Sequence, residues 1–310
     1  MPLHPEIASI LASCPHEEPG PLDPAAMRAG DEEQVPALED RHPVAHVSER
    51  VVPTPAGDVP VRVYAQKDAE TGAIVYIHGG AYFLGSLDTH DHIARRLATA
   101  TGLRVFSVGY RLVPEHPFPA AIDDVIGVVE WLLAEGESAG WDGTTLAVVG
   151  DSSGGTLATV VASLLHDRGI DRITHQVLYY PSVDLDLIAD LDDQHYPSMV
   201  ENATGYGMET AGIAPFNAFY FESGADPLDP RVSPIKRSDL SGLPPALILT
   251  GEFDPMRDEG ELYGQRLADA GVPTVVHRYD GAGHGFVQHF SWLPEYGAAF
   301  AETAAFLRGE

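Results

Sequence analysis

Ser152 sits at the centre of Gly150-Asp151-Ser152-Ser153-Gly154-Gly155, directly after the apolar run Leu146 to Val149. That order describes a strand entering a G-x-S-x-G turn and then a helix. The turn is so tight that its flanking positions tolerate almost no side chain, and it lifts the serine hydroxyl above the end of a sheet, which makes Ser152 a candidate nucleophile. Seen alone, a glycine-rich strand-to-helix turn could equally hold a phosphate on the helix N-terminus. A second loop bears on the choice. The apolar, β-branched run Ala73 to Ile77 ends in His78, Gly79, Gly80 and Ala81, and glycine amides at a strand exit are suitable preorganised donors for the oxyanion that forms when an acyl carbonyl is attacked. Gly79 and Gly80 are the expected donors, with the amide of Ser153 as a third.

A serine nucleophile needs a base and an orienting acid. Leu247 to Thr250 is a further apolar run, and the polar segment after it carries Glu252 and Asp254, with Asp258 four residues on. Val275 to Tyr279 leads into Asp280-Gly281-Ala282-Gly283-His284-Gly285-Phe286, where one histidine stands between glycines. Each group therefore lies just past the C-terminal end of a strand, where ligands gather in open α/β sheets. His284 is placed to take the proton of Ser152, and one of the three carboxylates to fix its tautomer.

The elements that must position these groups follow from periodicity. Two alternating strands lie between Val47 and Tyr64, separated by a turn at Pro55 to Asp58. Strands near 73–78, 103–109, 144–150, 174–180, 246–250 and 274–280 then alternate with helices near 89–101, 119–135, 153–168, 259–270 and 292–308. That rhythm predicts a mainly parallel sheet covered by helices on both faces. Residues 1 to about 45 read as one or two helices leading onto the body, and the aromatic, acidic stretch from about Leu185 to Ala225 interrupts the alternation.

Four blocks carry a resemblance to a known family: HGGAYFLGS from His78 to Ser86, YRLVPEHPFPAA from Tyr110 to Ala121, GDSSGG from Gly150 to Gly155, and GEFDPMRDEG from Gly251 to Gly260 with His284, Gly285 and Phe286. From about residue 50 onward the chain resembles the hormone-sensitive-lipase-like, bacterial family IV esterases of the α/β-hydrolase superfamily. Two positions depart from the family pattern, Ala81 at the third glycine of HGGG and Ser153 at the alanine of GDSAGG. The resemblance implies an α/β-hydrolase fold in a single domain, with a small, mainly helical cap formed by about 1–45 and about 185–225. It also implies a triad of Ser152, Asp254 and His284, with Gly79, Gly80 and Ser153 forming the oxyanion hole. The implied activity is that of a serine carboxylesterase acting on short to medium acyl esters through an acyl-enzyme, without cofactor or metal. A homodimer is a further expectation on the same ground. A non-catalytic binding protein on this fold, and an amidase or peptidase using the same triad, remain the alternatives.

Tyr82 and Phe83 beside the glycine loop, and Tyr206, Met208 and Phe216 in the insertion, are the expected substrate-pocket residues. Asp88, His90, Asp91 and His92 have ligand chemistry, but they open a helix, where Asp88 or Thr89 serves as N-cap. His116 is expected to hold the proline-rich turn and His78 the glycine loop. The 310 residues carry 18 basic and 46 acidic side chains, a net charge of −28, which disfavours nucleic acid and anionic membranes as partners. No apolar stretch reaches the ~20 residues of a membrane span, and no signal peptide is read at the start. Cys14 is the only cysteine, so no internal disulfide can form, and a cytoplasmic location is expected.

Overall fold

Side-chain alternation along the buried strands divides the core in two. In the third strand, β3 (Ala73–Ile77), Val75 and Ile77 pack with one apolar cluster while Ile74 and Tyr76 pack with the other, as a period of two requires. Neither face of such a strand meets water, so helices must cover both. The computed structural model describes residues 2–13, 22–186 and 196–310. Cys14 and residues 187–195 of the insertion lie outside the described residues.

The chain opens with α1 (Pro5–Ser13) and α2 (Pro24–Glu33), then pairs β1 (His46–Thr54) with β2 (Gly57–Ala65) as a hairpin. After β3 come α3 (Asp91–Thr101), β4 (Arg104–Val108), α4 (Ala120–Ala139), β5 (Leu146–Asp151), α5 (Ser153–Asp167) and β6 (His175–Tyr179). The short α6 (Ser198–Glu201) and α7 (Thr210–Glu222) belong to the insertion; β7 (Ala246–Phe253), α8 (Arg257–Asp269), β8 (Thr274–Gly283), α9 (Phe286–Phe290) and α10 (Pro294–Arg308) complete the chain. The strands form one sheet in the order β1-β2-β4-β3-β5-β6-β7-β8, antiparallel through β1, β2 and β4 and parallel from β4 onward. One face carries α3, α9 and α10, the other α4, α5 and α8. This is the predicted α/β-hydrolase architecture, with helices on both faces of a mostly parallel twisted sheet.

Three boundaries differ from the sequence expectation. β7 runs to Phe253 and β8 to Gly283, beyond the apolar runs that announced them, because an irregularity in register lets Phe253 pair with Gly283. Polar and glycine residues read as loop from sequence are thereby held as strand. The helix after the glycine loop begins at Asp91 with His90 as N-cap, and neither Asp88 nor Thr89 caps it. Thr89 is spent inside its own turn, where its Oγ1 accepts the Ser86 amide at 2.8 Å. The α9 turn after His284 was not anticipated. Among the described residues no helix is long and apolar enough to cross a membrane.

Candidate active site

β3 and β5 are neighbouring parallel strands, so the loops that leave them emerge side by side. Ser152 stands at the exit of β5 with φ 53° and ψ −124°, a conformation that a non-glycine residue holds only when its surroundings force it. The forcing is steric. A Cβ at Gly150 would collide with the Gly154 carbonyl, and one at Gly154 with the Ile77 carbonyl of β3, so helix α5 can be pulled tightly against the sheet only with glycine at both places.

β7 and β8 deliver the other two groups. His284 Nε2 lies 3.0 Å from Ser152 Oγ, and His284 Nδ1 lies 2.8 Å from Asp254 Oδ2. A carboxylate only accepts hydrogen bonds, so Nδ1 carries the proton and Nε2 is left to accept from the serine hydroxyl. Asp254 is fully buried, and its other oxygen accepts the Met256 amide at 2.8 Å. The two competing carboxylates are engaged elsewhere: Glu252 Oε2 accepts the Gly281 amide, and Asp258 accepts the Ser198 amide and the Arg257 guanidinium. The edge of Tyr180 meets the His284 ring at 4.9 Å.

The glycine loop requires a correction. The Gly79 amide donates to Asp151 Oδ1 at 3.1 Å and is therefore not free to bind an oxyanion. The amides of Gly80 and Ala81 have no hydrogen-bond partner among the described residues, and both residues have positive φ, which turns the chain after Gly79. The Ser153 amide, at the first position of α5, is one of the donors a helix start leaves unpaired. His78 holds the loop from below. Its Nδ1 donates to the Gly79 carbonyl at 2.8 Å, and its ring stacks on Tyr110 at 4.2 Å, while Tyr110 Oη donates to the His78 carbonyl at 2.8 Å. Burial, reinforced by the neighbouring His90, pushes the His78 imidazole down to about 3, so at neutral pH it acts by hydrogen bonding and stacking rather than by charge.

The expected pocket residues fall into two sets. Tyr82 and Phe83, at 1% and 0% exposure, stand behind the wall: Tyr82 stacks on Tyr220 at 3.7 Å, and Phe83 packs against Phe216 and Phe219. As placed, neither presents surface to a ligand. Tyr206, Met208 and Phe216 are half-buried and keep accessible surface, with Tyr206 stacked on Phe253 at 4.6 Å. Three of the remaining sequence candidates have structural partners. Asp91 bonds to Tyr64 Oη and is paired with Arg95, Arg62 and Arg41; Asp88 is paired with Arg62; the His116 amide donates to Leu112.

Two positioning residues had no motif to announce them. Arg28 of α2 donates to the Phe83 carbonyl at 2.6 Å and the Val113 carbonyl at 2.7 Å, and pairs with Glu115. It thereby ties the N-terminal segment to the glycine loop. Asn202, buried just past α6, donates to the Asp254 carbonyl at 3.0 Å and the Glu252 carbonyl at 3.2 Å.

A glycine-framed serine at a β–α turn, facing a histidine and a buried aspartate from later strand ends, defines the class of protein. A family model described as alpha/beta hydrolase fold matches residues 74–288, and the chain belongs to that family. The chain is 36% identical over 288 residues to the esterase LipI of Mycobacterium tuberculosis, covering 88% of each chain. It is 38% identical over 242 residues to an ethyl acetate hydrolase of Pseudomonas putida, covering 76% of this chain and 74% of the relative. A hyperthermophilic esterase from the archaeon Pyrobaculum calidifontis superposes with a TM-score of 0.90 at 40% identity, over 100% of this chain and 99% of the other.

Proposed function

We propose that the protein is a serine carboxylesterase in which Ser152 is the nucleophile, His284 the general base and then acid, and Asp254 the group that orients the imidazole. The observation that carries this reading is the continuous Ser152–His284–Asp254 chain, at 3.0 and 2.8 Å. His284 Nε2 accepts the proton as Ser152 Oγ attacks the ester carbonyl, and Asp254 stabilises the imidazolium that forms. The amides of Gly80, Ala81 and Ser153 receive the oxyanion, because their donors are unspent where that of Gly79 is not. His284 returns its proton to the leaving alcohol, and water repeats the sequence on the acyl-enzyme.

The described residues of the segments at about 1–45 and about 185–225 act together as a cap over this single domain. The ties of Arg28 to the glycine loop and of Asn202 to the acid loop support that role. Tyr206, Met208 and Phe216 would supply the apolar surface for a short acyl chain or alcohol, in a cytoplasmic enzyme that needs no cofactor. Exposed Val275 and Val276 on the edge strand β8 favour a homodimer, which light scattering tests. A non-catalytic binder on this fold is not favoured, since all three triad positions are filled and within hydrogen-bonding distance.

A rate series on p-nitrophenyl esters from two to sixteen carbons tests the assignment. We expect kcat/KM to peak between roughly two and eight carbons and Ser152→Ala to hydrolyse none of them. A rate rising through sixteen carbons would make the protein a lipase, and an active Ser152→Ala would end the serine mechanism.

A further inference from the structure

Asp151 precedes the nucleophile and is buried, with 2% of its surface exposed. A carboxylate in such a place costs several kcal/mol unless its partners offset the lost hydration. Its partners converge from three segments. Oδ1 accepts the hydroxyl of Tyr76, the next-to-last residue of β3, at 2.6 Å, and the Gly79 amide at 3.1 Å. Oδ2 faces His90 Nε2 at 3.6 Å. Burial alone would raise this carboxyl, but His90 and then the Tyr76 hydroxyl outweigh it and hold Asp151 below its ordinary value. It is therefore ionised and an acceptor at both oxygens.

The fit against the loop is close. A Cβ at Gly79 would lie 2.7 Å from both the Asp151 main-chain oxygen and Oδ2. Because β3 and β5 pair in parallel with Ile77 opposite Gly150, this carboxylate spans the exits of the oxyanion strand and the nucleophile strand. By accepting the Gly79 amide it fixes which way that peptide faces, and the turn that follows points the amides of Gly80 and Ala81 in another direction.

We propose that Asp151 is a positioning residue for the oxyanion hole, a carboxylate staple that sets the distance between the Gly79–Ala81 loop and Ser152. The proposal rests on the serine esterase reading above. It acts on the transition state: the ground-state ester carries no oxyanion, so loosening the staple changes kcat and leaves KM nearly alone.

Three variants test it on p-nitrophenyl acetate. Asp151→Ala is expected to lower kcat on the order of 100-fold with KM within about threefold, the cost of a misplaced oxyanion donor. Asp151→Asn keeps an acceptor oxygen for Tyr76 and Gly79, and is expected to recover kcat to within about tenfold of wild type. Gly79→Ala retains its amide proton but forces the loop off Asp151, so it should show the same fall in kcat at constant KM even if Asp151→Ala fails to fold. A phenylboronic acid, whose Ser152 adduct places an oxygen in the hole, should lose affinity in step with kcat across the series. The proposal is overturned if folded Asp151→Ala or Gly79→Ala keeps kcat within threefold, if KM absorbs the loss, or if boronate affinity does not follow kcat. A Ser152→Ala variant that still hydrolyses the ester would instead overturn the underlying reading.

Discussion

The two sides of Ser152 are built by different means. On the sheet side, Ser152, Gly79 and Asp151 are held by backbone geometry within adjacent parallel strands: a positive φ, two glycines that admit no Cβ, and a buried carboxylate between two strand exits. On the side of the insertion, α6 and the residue after it reach the acid loop through side chains that bridge about fifty residues, such as Asn202 to Asp254 and Arg257 to Glu201. Ser198 adds a reciprocal pair, its amide donating to Asp258 Oδ2 at 2.7 Å and its hydroxyl accepting the Asp258 amide at 3.2 Å. Strand exits fix the reacting atoms because a sheet cannot yield locally. An insertion joined by a few side-chain bonds can open or be reshaped at modest cost. The chemistry and the substrate choice proposed above would thus fall on different sides of the fold.

The sharpest way to break this comparison is to change one atom on the rigid side. Asp254→Asn is nearly isosteric, but it presents an amide to His284 Nδ1, favours the wrong tautomer and removes the charge that stabilises the imidazolium. We expect kcat to fall by about 10⁴-fold with an unchanged fold. Glu252→Gln and Asp258→Asn should cost far less, since those side chains bind Gly281, Ser198 and Arg257 rather than the histidine. Steady-state kinetics on all three proteins decide it, and an inactive Asp258→Asn beside an active Asp254→Asn would reassign the acid.

The same division explains what could be read in advance. Ser152, His284 and the strands that present them were legible because each depends on local patterning: an apolar run of strand length, then glycines at a forced turn. The carboxylate was narrowed to one only through the DPMRD segment of the resemblance, since Glu252, Asp254 and Asp258 are chemically alike. Of the expected oxyanion donors, Gly79 has its amide engaged by Asp151, while among the described residues the amides of Gly80 and Ala81 have no partner. The type of a residue does not reveal which way its amide points, and here a distant carboxylate decides that. Tyr82 and Phe83 flank the loop, which by position alone suggests lining, whereas α7 covers them. Arg28 and Asn202 left no signal at all, because a single polar residue that satisfies carbonyls elsewhere in the chain has no pattern of its own.

A milder test loosens the cap without touching the reacting atoms. Asn202→Ala removes one of two donors from each of the Glu252 and Asp254 carbonyls, which keep the Arg257 guanidinium and the Arg257 amide, a loss of about 0.5–1.5 kcal/mol per bond. We expect a lower Tm and a kcat reduced by roughly tenfold through a less well-held Asp254, far from the 10⁴-fold of the acid itself. Comparable losses for Asn202→Ala and Asp254→Asn would mean that the cap belongs to the catalytic frame and that the separation drawn here is wrong.

The smallest effect concerns Glu259, fully buried in the first turn of α8 where the sheet side meets the acid loop. Its Oε1 accepts the Val183 amide at 2.8 Å and the Asp184 amide at 3.4 Å. Burial first, and then the neighbouring charge of Asp184, raise this carboxyl well above its ordinary 4.5, against the two amides that favour ionisation. Folded protein therefore holds the proton more tightly than unfolded chain does. The stability this contributes is fully present below the unfolded value and is lost as pH rises through the folded one. Glu259→Gln keeps an acceptor oxygen for both amides and never ionises, so it is spared that loss. We expect wild type and Glu259→Gln to melt alike near about pH 4, and the variant to gain a few degrees over wild type by about pH 8, with kcat unchanged. Thermal denaturation across that range measures the gap. A difference in Tm that stays flat with pH would show that Glu259 ionises in the folded protein as readily as in the unfolded chain, and that the junction between the two sides carries no buried proton.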